Sequence, residues 1–167
     1  TLGLSQGPIQ YIQQPAKNSF SLVIDRSGSM SGNAMRDAKK AVTHFIDEMR
    51  GSDQANIIAF DSKVTVFANM GASKSSLRSA VDKITPGGAT SLYDAIAKDA
   101  IHLSSEGGAR IIVFLTDGDD TGSKFSLKEI RGMNLSEGIF IYGIGLGSVN
   151  KRGSDDLVDA SGGEYYT

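Results

Sequence analysis

Asp25, Ser27 and Ser29 stand at alternate positions in the run Asp25-Arg26-Ser27-Gly28-Ser29. One carboxylate and two hydroxyls offer only hard oxygen donors, the type that suits a hard divalent cation such as Mg²⁺. Three donors do not fill an octahedral shell, so further oxygens must come from elsewhere in the chain. Thr90, after Pro86-Gly87-Gly88-Ala89, and Asp117, which opens Asp117-Gly118-Asp119-Asp120, are the candidates. The set Asp25, Ser27, Ser29, Thr90 and Asp117 then holds two carboxylates and three hydroxyls. Its two formal negative charges match a divalent cation, and it leaves one or more positions to water or an incoming ligand. So small and hydroxyl-rich a shell favours Mg²⁺ or Mn²⁺ over Ca²⁺, which takes more carboxylate oxygens.

Other groups are read more simply. Asp119 and Asp120 fit a solvated loop better than a direct metal role, Arg26 an exposed or locally paired side chain better than a rim group that shapes partner choice, and His44 and His102 ordinary surface or boundary positions on helices. Position 27 is Ser where a phosphoryl-transfer D-x-D would need Asp, and no G-x-x-x-x-G-K-[ST] occurs. Gly28-Ser29-Met30-Ser31-Gly32 has Met where a G-x-S-x-G nucleophile elbow needs Ser. Gly143-Ile144-Gly145-Leu146-Gly147 lacks the G-x-G-x-x-G spacing of a dinucleotide loop, and its glycines suit a bend or a close backbone approach.

The elements that must position these residues are legible from the apolar pattern. The apolar run before Asp25 reads as a buried parallel strand. Ala34, Ala38, Ala41, Val42, Phe45, Ile46 and Met49 recur at helical spacing over about 33–50, with Gly51 as the stop. A strand over 55–60 and a turn at Asp61-Ser62 lead to an antiparallel hairpin partner over 64–67. Ser73 caps a short helix carrying Leu77, Ala80, Val81 and Ile84, and a further helix covers about 91–105. The most apolar run, 111–116, is placed at the sheet centre. Ser126-Leu127-Lys128-Glu129 fits a capping box, 139–146 another buried strand, 155–160 a short helix and 164–166 a last strand. Residues 1–18, Gln-rich with Pro8 and Pro15, read as a linker with an edge strand near 10–13.

Strands alternating with helices predict an α/β doubly wound, Rossmann-like three-layer sandwich. Its mostly parallel sheet has order 3-2-1-4-5-6, one antiparallel edge strand and helices on both faces. Ligands in such sheets bind beyond the carboxyl ends of the strands, where strand order reverses. Asp25 and Asp117 follow neighbouring strands at that point, and Thr90 precedes a helix on the same edge.

The 167 residues suffice for one domain with a sizeable core. A net charge of −2 provides no basic nucleic-acid footprint. No apolar run approaches the ~18 residues of a membrane span, so direct membrane insertion is not expected. With no Cys there are no disulfides, zinc–thiolate sites or Cys nucleophiles. The first residue, Thr1, suggests a processed chain or a piece of a larger multidomain protein.

Asp25-Arg26-Ser27-Gly28-Ser29 resembles the DxSxS motif of von Willebrand factor A (vWA) domains. Gly88-Ala89-Thr90 resembles that family's second-loop threonine, and Leu115-Thr116-Asp117-Gly118 its TDG motif. The likeness covers 19–167. It implies a metal-ion-dependent adhesion site (MIDAS) in which Ser27, Ser29 and Thr90 touch the metal through hydroxyls. Asp25 and Asp117 would act directly or through water, and a partner's Asp or Glu would complete the shell. The resemblance thus implies a protein-binding and cell-adhesion module rather than an enzyme, with an extracellular or surface setting favoured. The alternatives are an assembly subunit domain of a pilus, surface or chelatase-like complex, and a Mg²⁺-dependent phosphoryl-transfer enzyme. Family members usually carry a helix after the last strand, which is not expected in a chain that stops at Thr167.

Overall fold

The computed structural model describes residues 16–147, 158–159 and 163–166. Its elements are β1 (Asn18–Asp25), a 3-10 turn (Gly28–Met30), α1 (Asn33–Glu48), β2 (Gln54–Phe60), β3 (Val64–Ala68), α2 (Lys74–Asp82) and α3 (Leu92–Ser104). There follow β4 (Ala109–Thr116), α4 (Leu127–Glu137), β5 (Ile139–Gly145) and β6 (Tyr165–Tyr166). The expected edge strand near 10–13 lies outside the described residues. Of the helix expected over 155–160, only Val158 and Asp159 are described, and both are helical.

The strands form one sheet in the order β3-β2-β1-β4-β5-β6, as expected. β3 is antiparallel to β2, and the other described pairs are parallel. The alternation of side chains along each strand divides the core between two faces. Leu22 and Ile24 of β1 pack with Val42 and Ile46 of α1 and Leu77 and Val81 of α2. Val23, between them, faces the other way and joins Ile96 and Leu103 of α3 and Ile130 of α4. Strands apolar at successive positions are what a sheet covered on both faces requires.

Local signals held where they were specific. Ser73 caps α2 by accepting from the Ser76 N–H at 3.2 Å. Ser126 and Glu129 form a reciprocal capping box: the Ser126 N–H donates to Glu129 Oε2 at 2.8 Å, and the Glu129 N–H donates to Ser126 Oγ at 3.4 Å. α1 ends at Glu48, short of residue 50. The Asp53 carboxylate accepts from the Arg50 N–H at 3.0 Å and from its guanidinium, which fixes the turn instead of another helical residue.

β1 and β4 are the neighbours at which strand order reverses. Ile24 lies opposite Leu115, so Asp25 and Thr116 emerge at the same height from adjacent strands. This is the crevice where doubly wound folds bind ligands.

Candidate metal centre

Asp25, the last residue of β1, is fully buried. Its Oδ1 accepts from the Ser27 N–H at 2.7 Å, and its Oδ2 accepts from the Thr116 hydroxyl at 2.6 Å. Ser27 and Ser29 hydroxyls lie 3.0 Å apart, and Ser29 donates to Asp117 Oδ1 at 2.8 Å. A hydroxyl has one proton to give, so Ser27 is the donor in the serine pair. Asp25, Ser27, Ser29 and Asp117 are thus joined across the β1–β4 edge, while Ser29 itself stays exposed.

The loop after Asp25 is held from several sides. Met30 is fully buried and anchors the 3-10 turn beneath the serines. The Gly28 N–H donates to the Gly88 carbonyl at 3.0 Å, and the Gly87 N–H donates to the Arg26 carbonyl at 2.7 Å. These bonds dock the Thr90 loop against the Asp25 loop. Thr90 is buried, and its carbonyl accepts from the N–H groups of Thr121 and Gly122 at 3.0 and 2.9 Å. The loop that begins at Asp117 therefore closes over it.

Arg26 is locally paired. Its guanidinium meets Asp61 at 2.6 Å and lies 6.0 Å from the centre of the Phe67 ring. Its ion pair is therefore with Asp61 and not with either site carboxylate. Among the described residues the ion pairs are Arg26–Asp61, Arg50–Asp53 and Arg78–Asp47, none of which neutralises Asp25 or Asp117. Burial pushes the Asp25 carboxyl above its ordinary value; the bonds from Thr116 and Ser27 oppose this, and the Asp117 charge adds to it.

Two residues matter here in ways the sequence does not indicate. Thr116, inside the quoted TDG stretch, orients the buried carboxylate. Asp120 is not simply solvated: its Oδ1 accepts from the Tyr93 N–H at 3.2 Å and from the Ser123 hydroxyl at 2.5 Å, and its Oδ2 accepts from the Ser123 N–H at 3.2 Å. Ser123 Oγ in turn accepts from the Asp94 N–H at 3.0 Å. The first turn of α3 is therefore capped from the 117–125 loop rather than by Ser91, which makes no side-chain cap. The Asp120-x-x-Ser123 spacing is the only local hint of it. Asp119 Oδ1 is buried without a hydrogen-bond partner.

The donor set fits a hard cation. It consists of oxygen atoms only, it carries two carboxylates with no cationic partner, and three of its side chains come from one short loop and strand end. Among the described residues no three His, Cys, Asp or Glu side chains cluster as metal ligands, so any such centre relies on hydroxyls. His44 and His102 are exposed on α1 and α3.

A sequence model of the von Willebrand factor type A domain matches residues 20–119. Curated relatives include inter-alpha-trypsin inhibitor heavy chain H2 of Mesocricetus auratus, 28% identical over 150 residues covering 80% of this chain and 16% of that protein. Heavy chain H4 of Homo sapiens is 31% identical over 130 residues, covering 70% and 14%. The chain thus spans about one sixth of the length of these relatives. Among solved structures, a von Willebrand factor type A protein from Catenulispora acidiphila has a TM-score of 0.80 at 20% identity, covering 91% of this chain and 39% of that one. An aerotolerance-related membrane protein from Bacteroides fragilis gives 0.79 at 18% identity, covering 89% and 90%. The PilB minor pilin of Streptococcus sanguinis gives 0.75 at 18%, covering 93% and 58%. These structural likenesses speak for the shared fold, and the sequence match over 20–119 for the family: the chain belongs to the von Willebrand factor type A domain family.

Proposed function

We propose that this domain is a protein-binding module that holds Mg²⁺ or Mn²⁺ at Asp25, Ser27, Ser29, Thr90 and Asp117 and captures a carboxylate of its partner. The observation that carries the reading is the buried Asp25 carboxylate beside Asp117 with no cation paired to either among the described residues. A buried charge without a partner is costly, and a bound cation removes that cost. The metal would supply Lewis acidity toward an incoming oxygen. Three of the five donors are neutral hydroxyls, which quench the cation's pull on an incoming oxygen less than carboxylates would, so a partner's Asp or Glu gains from taking the position left to water.

The chain's own residues do the preparation. Thr116 and the Ser27 N–H fix both oxygens of Asp25, the serine pair points at Asp117, and the Arg26–Asp61 pair and Gly88 hold the Thr90 loop. The reading is a binding site rather than an enzyme: Ser29 donates to a carboxylate acceptor, and His44 and His102 lie within α1 and α3 rather than on the loops that carry the set.

Membership in larger assemblies is part of the same proposal. Relatives named as inhibitor heavy chains and a minor pilin match this domain over a fraction of their lengths, which supports a module within a longer surface or extracellular protein. Among the described residues no helix is long and apolar enough to cross a membrane.

The test is thermal unfolding of metal-stripped protein across a Mg²⁺ series, beside Asp25→Ala and Asp117→Ala. Metal at ~100 times its dissociation constant adds about 2.7 kcal/mol to the folded state. That raises Tm by roughly 5–10 °C for a domain of this size. A rise in the parent and none in either variant is expected. Equal rises in all three would place the metal elsewhere and overturn the reading.

A further inference from the structure

A groove of about 650 Å³ runs along the outside of α1. At its upper end lie Gly32, three residues after Ser29, and Pro86, four residues before Thr90. Below them Arg36, Lys39, Lys40 and His44 line the α1 wall. Arg36, Lys40 and His44 are exposed and recur at four-residue spacing, so they form one row on the helix. None of the three is in an ion pair among the described residues. Arg36 does touch the Asn33 side-chain oxygen.

The acidic residues of the groove are fewer and partly engaged. Asp47, at the lower end, is taken by Arg78, whose Nε donates to its carboxylate at 2.8 Å. Lys39 Nζ donates to the Asp82 carbonyl at 2.8 Å, tying α1 to the end of α2. The Asp82 carboxylate is the remaining negative group on the facing wall.

We infer that this groove is the docking track for an extended acidic peptide whose leading carboxylate reaches the metal edge. The inference rests on the metal-site reading for that leading carboxylate alone; the basic row stands independently. Its geometry favours a particular pattern. Residues four apart on an α-helix are about 6 Å apart along the axis. Alternate side chains of an extended chain lie on one side at roughly 6.6 Å. Acidic residues at every second position of a partner strand therefore meet Arg36, Lys40 and His44 in turn. From Gly32 to His44 is about 18 Å, the length of five or six extended residues. The partner segment is thus a short run of alternating Asp or Glu, with specificity for spacing as well as for charge.

The experiment uses a fluorescent nine-residue peptide of alternating Asp and Ser, with fluorescence anisotropy read in Mg²⁺ at two salt concentrations. A composition-matched peptide with the Asp residues consecutive is the spacing control. Arg36→Glu/Lys40→Glu is expected to weaken binding of the alternating peptide about tenfold or more, since two exposed attractions become repulsions. Its salt dependence should flatten, and its Mg²⁺-induced Tm shift without peptide should equal the parent's. The consecutive peptide should bind the parent more weakly than the alternating one. Equal binding by parent and charge-reversed protein, equal binding of the two peptides, or no binding to the parent would overturn the groove. Failure of the metal reading looks different: no Mg²⁺ response without peptide and unchanged peptide binding in Asp25→Ala, with the Arg36/Lys40 dependence intact.

Discussion

The Thr116 hydroxyl donates to Asp25 Oδ2 at 2.6 Å, across the two strands between which the order of the sheet reverses. The bond links the last residue of β1 to the last residue of β4 and fixes a carboxylate that has no access to water. Thr116→Val keeps the shape and deletes the donor. A hydrogen bond to a charged group carries about 1.5–3 kcal/mol, so unfolding by denaturant should show a loss of that order in metal-free protein. The Mg²⁺-induced rise in Tm should shrink as well, because the carboxylate is freed to rotate. A variant as stable as the parent with a full Mg²⁺ response would remove Thr116 from the site.

Gly88 adopts φ +90, and a Cβ there would lie 2.9 Å from Asp61 Cβ. Gly32 has φ +80 but nothing within 4 Å of such a Cβ. Gly32→Ala should therefore cost only backbone strain, about 1–3 kcal/mol, since φ +80 with ψ −120 lies outside the left-handed helical basin. Gly88→Ala should cost more, since Asp61 must move, and with it the Arg26 pair and the carbonyl that receives the Ser91 N–H. Isothermal titration should then find weakened Mg²⁺ binding in Gly88→Ala and near-parental binding in Gly32→Ala. The reverse ranking would show that the Thr90 loop is not held by this contact.

Asp120 caps a helix that begins 28 residues before it in the sequence. Asp120→Ala strands the Tyr93 and Ser123 N–H groups and should destabilise by about 1–2 kcal/mol, the size of a lost helix cap. Asp120→Asn retains acceptance at Oδ1 and should lose less. Chemical denaturation of both variants checks the order; equal losses would mean that the charge rather than the acceptor is what α3 requires.

Asp99 on α3 is fully buried against Asn56 of β2, whose side-chain N–H donates to Oδ1 at 3.3 Å, while Oδ2 has no partner. Burial pushes its carboxyl up to about 6, with Ser21, Asn56 and the His102 charge opposing. The folded state thus holds a proton that the unfolded chain has released at its ordinary value of 3.8. Stability from this group is present below about pH 4 and is lost as pH rises to about 6, an effect on the order of 3 kcal/mol. Asp99→Asn should be more stable than the parent at pH 7, and the gap should close toward pH 4. Tm measured at both pH values decides it: a gap that does not depend on pH would mean that the carboxyl is not titrating in this window.

The sequence by itself determined the elements and the donor types. Apolar runs ending in Asp25 and Asp117, helical spacing after each, and the glycines before Thr90 are local signals, because strand alternation and helix periodicity depend only on which residues are adjacent in the chain. The sheet order followed from those elements and the handedness of crossovers. What the tertiary structure decided are relationships between residues far apart in sequence. Thr116 meets Asp25 across 91 residues, Asp120 caps α3 from a later loop, and Arg26 is drawn to Asp61 rather than to its neighbour Asp25. No local pattern encodes these pairings, since each depends on which strand ends the packed sheet brings to the same height. The row of Arg36, Lys40 and His44 shows both sides: its spacing is written in the helix, but the groove it lines, with Asp82 and Pro86, comes from how α1 packs in the fold.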